Sequence, residues 1–376
     1  MKRRHFLSLI GGGTIVAVSA ATGVIATRKT QTALRPWDAA GTQYSDPRKR
    51  ALSWAILAPN PHNRQPWMVD LSEPDQATLY VDTSRMLPHT DPFNRQITIG
   101  LGCFIEMARL AASQDGIRMT AQLFPDGSDA AALDGRPVAI LKFNGTAPKD
   151  PLFAYALNRR SHKVPFDTSK AVAPDALQTV LDAAVQTQVN GSVLPRHVQA
   201  LRTLTHEALR IEVETPRTYV ESVDLFRIGA KAVDANPDGI DFTGPVFELL
   251  GAAGMMEREA LLDTSSASYK EGMKAIFANT DTAMGHLWQV TPANTRLDQI
   301  TAGRDWLRIN LAATSQGLAI QPLSQALQEY PEMKGIYEDV HTQFAPDGGT
   351  VQMLARIGYA ASIAPSPRWP LEAKLI

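Results

Sequence analysis

One cysteine in 376 residues removes several chemistries at once. Cys103 has no partner for an internal disulfide, and a lone thiol cannot build a Cys-rich zinc site, an iron–sulfur centre or a CxxC redox pair. Phosphate-cradling glycine loops are missing too. No G-x-G-x-x-G follows a strand pattern and no G-x-x-x-x-G-K-[ST] occurs, so neither a Rossmann dinucleotide site nor a P-loop is supported. Gly11, Gly12 and Gly13 lie in an N-terminal leader-like stretch and do not count. The G-x-S-x-G elbow of serine hydrolases is absent. His5, His62, His89, His162, His197, His206, His286 and His341 include no pair at metal-site spacing with a carboxylate between, which argues against metal catalysis. Tyr330 and Lys334 have the spacing of some dehydrogenases, but Pro331 between them disfavours the helix that spacing needs.

Excess charge is also lacking. The formal net charge is −1, but the first 29 residues hold Lys2, Arg3, Arg4, Arg28 and Lys29 without any acid, leaving 32 basic against 38 acidic residues in the body. A body of −6 is a poor nucleic-acid binder, because that affinity comes from neutralising phosphates. Hydrophobic residues make up 44%, with 25 Gly and 25 Pro, the profile of a folded chain and not of a disordered, collagenous or multi-span membrane chain. At about 150 residues per domain the length predicts two large lobes.

Residues 1–29 read as a leader: a basic head, then an uncharged stretch from Phe6 to Thr27 diluted by glycine, serine and threonine. Lys2-Arg3-Arg4-His5-Phe6-Leu7 resembles the twin-arginine export signal. This predicts a periplasmic or other extracytoplasmic protein delivered by the twin-arginine machinery, membrane-anchored if the leader stays uncut. The apolar run of about 20 residues is long enough to span a bilayer. Residues 30–47 read as a polar linker or surface arm.

In the body, a helix over 48–58 should end at Pro59. Strands are predicted at 77–82, 119–125 and 137–143, with a helix over 97–113 between them. After Asn144-Gly145 the pattern restarts: helices at 151–159 and 175–184, a long amphipathic segment over 201–213, a Pro/Gly-rich break at 236–245, a helix over 303–316 stopped by Gly317, and a strand at 351–360. Few strands among many helices predict an α+β fold. Met255, Met256, Met273 and Met284 read as flexible packing, and Cys103, on an apolar helix, as a buried structural thiol.

Two polar punctuations carry unusual chemistry. In Ala58-Pro59-Asn60-Pro61-His62-Asn63-Arg64-Gln65-Pro66-Trp67, prolines restrict the backbone while Asn63 and Gln65 offer both donor and acceptor, as a flat heterocycle requires, or as buried backbone requires. In Asn158-Arg159-Arg160-Ser161-His162-Lys163, guanidiniums, a hydroxyl and an ammonium suit a doubly charged phosphate, or simply a solvated turn. Near the end, Arg368 sits between prolines in Pro365-Ser366-Pro367-Arg368-Trp369-Pro370.

In this combination the pieces resemble the nitroreductase-like flavoproteins, especially their long single-chain Acg-like branch. The resemblance implies FMN. It carries Arg159, Ser161 and Lys163 over as phosphate ligands with Arg368, Asn63 as an isoalloxazine ligand with Gln65 nearby, and Gln321 and Pro322, with Ile320 and Leu323, beside the ring. Asp82, Arg85, Asp91, Pro92 and Arg95 match a further stretch of that branch. The phosphate element ordinarily precedes the N-x-Q-P-W element, whereas here Arg159 follows Asn63. That order implies a pseudo-dimer of two fused halves, 48–150 and 151–376, with a possible helical lid at 225–290. The implied activity is FMN-dependent transfer of hydride or electrons to a nitroaromatic, quinone or similar small acceptor. The alternative is a non-catalytic flavin-binding or flavin-sequestering protein. The resemblance gives no acid, base or nucleophile and no metal, leaves the electron donor open, and makes a monomer plausible.

Overall fold

The computed structural model describes residues 28–128 and 131–376. The expected leader, 1–29, therefore lies almost wholly outside the described residues. The arm that follows begins with α1 (Arg35–Ala39) and leads to α2 (Pro47–Ala55). Asp46 starts α2 by accepting the Arg48 N–H at 2.8 Å, and Pro47 occupies a first-turn position where a missing N–H costs nothing. The helix ends at Ala55 and not at 58, because the next residues tighten: Leu57 bonds Trp54 and Ala58 bonds Ala55, i to i−3. Next come β1 (Trp67–Asp70), β2 (Gln76–Val81), α3 (Arg95–Gln114), β3 (Ile117–Leu123) and β4 (Ala139–Thr146). The four strands form an antiparallel sheet in the order β1-β2-β4-β3. Alternate residues of β2 are buried, the period-2 pattern of a half-buried strand.

The chain then repeats itself. The second half contains α4 (Pro174–Leu181), β5 (Gln188–Ser192), α5 (Pro195–Glu214), α6 (Pro216–Asp224), β6 (Phe226–Ile228), α7 (Ala230–Ala235), β7 (Ile240–Phe242), α8 (Pro245–Ala252), α9 (Arg258–Leu262), α10 (Ala267–Asp281), β8 (Gly285–Thr291), α11 (Arg296–Ser315), β9 (Ala319–Pro322), α12 (Lys334–Phe344) and β10 (Thr350–Gly358). Its antiparallel sheet runs β5-β8-β10-β9. Setting aside the inserted α5–α10, this is the same order, first, second, fourth, third, with a long helix between the second and third strands. The architecture is mixed α/β with two structurally related halves, consistent with a nitroreductase-like fold.

The two long helices form the seam. Each has 20 residues, and Gly102 and Gly303 occupy the same position, eighth, in α3 and α11. A Cβ on Gly303 would fall 2.0 Å from the Ile99 carbonyl oxygen, and one on Gly102 2.3 Å from that of Ile300. Only glycine permits backbones this close. Cys103 donates to the Gly303 carbonyl at 3.1 Å, and burial pushes its thiol pKa up, so it packs the seam as a structural thiol. Nearby, Glu106 meets Arg109, Arg304 and Arg308, a buried carboxylate held ionised by three guanidiniums.

Several expectations need correction. The helix predicted at 151–159 is a five-residue 3-10 turn, Pro151–Tyr155, capped by Asp150. The predicted start at 303 is seven residues late, because Thr295 and Asp298 form a capping box ahead of Arg296. The arm is no loose linker: Ala33, Trp37 and Ala40 are buried. The C-terminal tail crosses back to the first half, where Ile376 donates to the Val69 carbonyl at 3.0 Å. Among the described residues no helix is long and apolar enough to cross a membrane.

Candidate functional site

The loop between α2 and β1 is held in a costly conformation. His62, Asn63 and Gln65 have φ of 45, 51 and 49°, the left-handed region that non-glycine residues enter at a cost of about 1 kcal/mol or more each. Surrounding bonds fix it. Asn60 Oδ1 accepts the Gln65 N–H at 2.7 Å, and Lys374 Nζ donates to the Gln65 carbonyl at 2.8 Å. Gln65 itself is fully buried; its Nε2 donates to the Pro237 carbonyl at 2.7 Å and its Oε1 accepts the Trp369 N–H at 2.9 Å. It is engaged by protein at both ends and shapes the loop. Asn63 Nδ2 donates to the Pro367 carbonyl at 3.0 Å, and Asn63 Oδ1 accepts from Arg368 Nη1 at 2.6 Å.

Arg368 is buried and commits its guanidinium to protein, Nε to the Ile56 carbonyl at 2.8 Å, Nη2 to Leu57 at 3.2 Å and Ala58 at 3.1 Å, and Nη1 to Pro367 at 2.8 Å as well as Asn63; this corrects its expected place among the phosphate ligands and makes it an anchor of the loop. A helix C-terminus presents unsatisfied carbonyls and partial negative charge, which makes a buried cation tolerable there. Arg159, 3% exposed, reaches the same place, donating from Nη2 to the Leu57 carbonyl at 3.2 Å. Its Nε and Nη1 are buried and have no hydrogen-bond partner among the described residues. Thus Asn63, Arg159 and Arg368, widely separated in sequence, converge on one helix end.

From there residues 159–164 run beside β9. The His162 N–H bonds the Ile320 carbonyl at 3.0 Å. Arg356 ties the two together, donating to the His162 and Val164 carbonyls at 3.1 and 2.7 Å and to Gln321 Oε1 at 2.7 Å. Gln321, Pro322 and Ser161 are half-buried. Lys163 is solvent-accessible, and desolvation by surrounding protein lowers its pKa, opposed by Asp241.

The electrostatics are one-sided. Burial, then the charge of Arg160, pushes Arg159 down to about 10. Burial, then Arg159, pushes Arg368 down to about 9. Burial followed by Lys163 and Arg64 takes His62 down to about 3, and burial followed by Arg160 takes His162 to about 4. Against these cations stands Asp241, whose own pKa burial raises. Cations that repel one another in a partly desolvated cluster, one with two unanswered N–H edges, fit a multiply charged anion. A flavin phosphate meets that requirement. Among the described residues no group of three or more His, Cys, Asp or Glu could hold a metal.

The sequence did not single out Arg356 or Asp241, whose places here arise only from folding. Asp82, Arg85, Asp91 and Arg95 are structural: Asp82 caps the turn before Met86, Asp91 accepts the Gln96 and Ile97 N–H groups, and Arg95 spans to Glu329 and the Leu327 carbonyl in the other half.

The chain is similar in sequence to nitroreductase-like proteins of the Acg type. A Mycobacterium tuberculosis protein named "Putative NAD(P)H nitroreductase acg" is 25% identical over 337 residues, covering 85% of this chain and 91% of the relative. Among solved structures, "a putative nitroreductase from anabaena variabilis" aligns at a TM-score of 0.42 with 10% identity, over 89% of this chain and 93% of that one. The FMN-dependent nitroreductase NfnB from Mycobacterium smegmatis, in complex with NADPH, aligns at 0.35 with 19% identity, over 59% and 96%. No family model matches the chain.

Proposed function

We propose that this protein is an FMN-dependent oxidoreductase of the nitroreductase type, passing hydride or electrons to a nitroaromatic, quinone or similar small acceptor. The observation that carries the reading is Arg159, buried beside Arg368 with two guanidinium edges unpartnered. Arg159, Ser161 and Lys163 would hold the phosphate, with Arg368 fixing Asn63 and the end of α2 beside them; the Asn63 loop would flank the ring on one side and Gln321 and Pro322 on the other. Bound FMN supplies the redox chemistry. The chain's residues bind and orient it: Arg159 and Lys163 neutralise the phosphate, and the strained loop and β9 fix the cleft walls. Purification from a flavin-sufficient host tests this, with near-stoichiometric yellow FMN expected. Flavin occupancy should fall in Arg159→Ala/Lys163→Ala; unchanged occupancy refutes the phosphate assignment.

A second reading, flavin holding without turnover, is favoured by one feature. The insertion grips the Asn63 loop: Gly239 donates to the Asn63 carbonyl at 3.3 Å, Gln65 to Pro237, and Asp238 pairs with Arg85. Anaerobic mixing of the reduced holoprotein with a nitroaromatic or quinone decides, since a flavin that never reoxidises identifies storage. We also infer export, from the basic, apolar leader. Cytoplasmic retention in a host lacking twin-arginine translocation is the expected result, and unchanged export refutes it. A nicotinamide donor named for the relative would be scarce outside the cytoplasm, so the donor is better sought among extracytoplasmic reductants.

A further inference from the structure

The insertion is fastened to the two halves by different means. Its first helix, α5, belongs to the second half: Ala208 lies in an apolar core with Val290, Leu323 and Leu354, and Leu204 and Ile211 pack against it. Thr215, a single extended residue, closes α5 and precedes Pro216, which opens α6. Arg217, in the first turn of α6, still holds the second half through Glu332 at 2.7 and 2.5 Å. Beyond that turn the insertion faces the first half, and apolar burial gives out. No buried residue of the core shared by the two halves comes from 216–281; Leu225 packs against it half-buried. A cavity of about 510 Å³ opens between residues 86–89 of the first half and Pro216, Val220 and Asp224 of α6.

Carboxylates do the fastening there instead. Glu221 accepts the His89 and Thr90 N–H groups at 2.8 and 2.9 Å and the Thr90 hydroxyl at 2.6 Å. Asp234 accepts the Gln31, Thr32 and Ala33 N–H groups of the arm at 2.7, 2.9 and 2.9 Å, and Asp238 pairs with Arg85. Burial pushes the Asp234 and Asp238 carboxyls up, but the bonds they accept pull both below the ordinary range, so both are charged at neutral pH. Charge-assisted bonds hold firmly while they are made. They also separate without breaking a packed core, because a freed carboxylate and a freed N–H both return to water.

We propose that α6 to β7, residues 216–242, form a lid hinged at Thr215 and latched onto the first half by Glu221, Asp234 and Asp238, and that release of these latches admits and discharges flavin at the Asn63 loop. The flavin part rests on the FMN reading above, and the test separates the two. The Gly239 N–H, which donates to the Asn63 carbonyl, reports closure. In apoprotein its hydrogen exchange, which follows the opening equilibrium, should quicken about tenfold or more in Glu221→Ala and in Asp234→Ala, the order expected for lost bonds to a charged group, although neither carboxylate bonds Gly239. Exchange quickened only at each latch's own donors, 89–90 or 31–33, would make them separate surface contacts and overturn the lid. In flavin-loaded protein, FMN release followed by fluorescence should quicken by a similar factor in both variants. Faster Gly239 exchange with unchanged FMN release overturns the gating role. A wild type that binds no FMN overturns the FMN reading, while hydrogen exchange still decides the lid.

Discussion

Replacing Arg159 by methionine should separate ligand binding from folding. The side chain is 3% exposed and makes one hydrogen bond, to the Leu57 carbonyl. A pKa fall from 12.5 to about 10 corresponds, at about 1.4 kcal/mol per pH unit, to about 3 kcal/mol against the charged form. At pH 7, below both values, the group is charged in the folded and unfolded chains alike, so this penalty opposes folding in full and is relieved only above about pH 10. Methionine removes it and keeps most of the stem's packing. Losing the Leu57 bond costs about 1–2 kcal/mol, so the apoprotein should gain about 1–2 kcal/mol in urea unfolding. FMN affinity should fall instead. Two charge-assisted bonds from Nε and Nη1, at about 1.5 kcal/mol each at the low end, amount to about a hundredfold in Kd. An apoprotein destabilised by more than about 1 kcal/mol with FMN affinity intact would show that the unpartnered edges are structural.

Arg368→Met should do the reverse in part. It removes five bonds, to the Ile56, Leu57, Ala58 and Pro367 carbonyls and to Asn63 Oδ1; at about 1–2 kcal/mol each these outweigh the roughly 5 kcal/mol burial penalty that a pKa of about 9 implies, so the apoprotein should lose stability in urea unfolding, and no loss would deny the anchoring role. Gly303→Ala drives a methyl to 2.0 Å from the Ile99 carbonyl, so a cost of about 3 kcal/mol or more is expected in thermal unfolding, and a wild-type Tm would contradict the close seam. Glu212 is buried and its pKa is raised from 4.5 to about 7, chiefly by burial. Folding thus favours its protonated form: the advantage is complete below pH 4.5 and lost as pH rises through 7. Glu212→Gln should flatten that slope, on the order of 3 kcal/mol between pH 4.5 and 8, and an unchanged profile would assign the slope elsewhere.

What the sequence made legible was local. Gly317 and the alternation in 77–82 act on neighbouring residues, so the corresponding helix stop and strand could be read directly. The strand Gly285–Thr291 escaped because nearly every residue in it is buried on both faces, which erases the period-2 signal. Site residues divide similarly. Arg159 and Lys163 stand out because cations cluster within a few positions. Trp37 and Arg356 do not, since Trp37 meets Arg160 and Arg368, and Arg356 the His162 and Val164 carbonyls, all more than a hundred positions away. Gln65 shows the converse: an amide in a ligand-like motif is consumed by backbone that only the folded tail and insertion bring near.

The two halves share one topology, yet their corresponding junctions differ in chemistry. In the first half, residues 56–66 connect α2 to β1, long enough to enter the left-handed turn at Asn63 and to expose the end of α2 to Arg159 and Arg368. In the second, residues 182–187 connect α4 to β5, too few for such a turn. There the N–H groups of Val185, Gln186 and Thr187 are taken by the Asp305 carboxylate at 3.1, 2.8 and 2.8 Å, and the Ala183 carbonyl by Arg308 at 3.1 Å. An acid stands where the first junction has arginines, and it repels a phosphate. The donors an anion would need are already answered, so occupancy there would have to break bonds instead of completing them. On the proposed reading a scaffold of two structurally related halves has its phosphate site in the first junction alone, and the loaded protein should carry one FMN per chain by absorbance against protein concentration. Two per chain would mean that Asp305 yields its partners to a ligand, contrary to the geometry of both junctions.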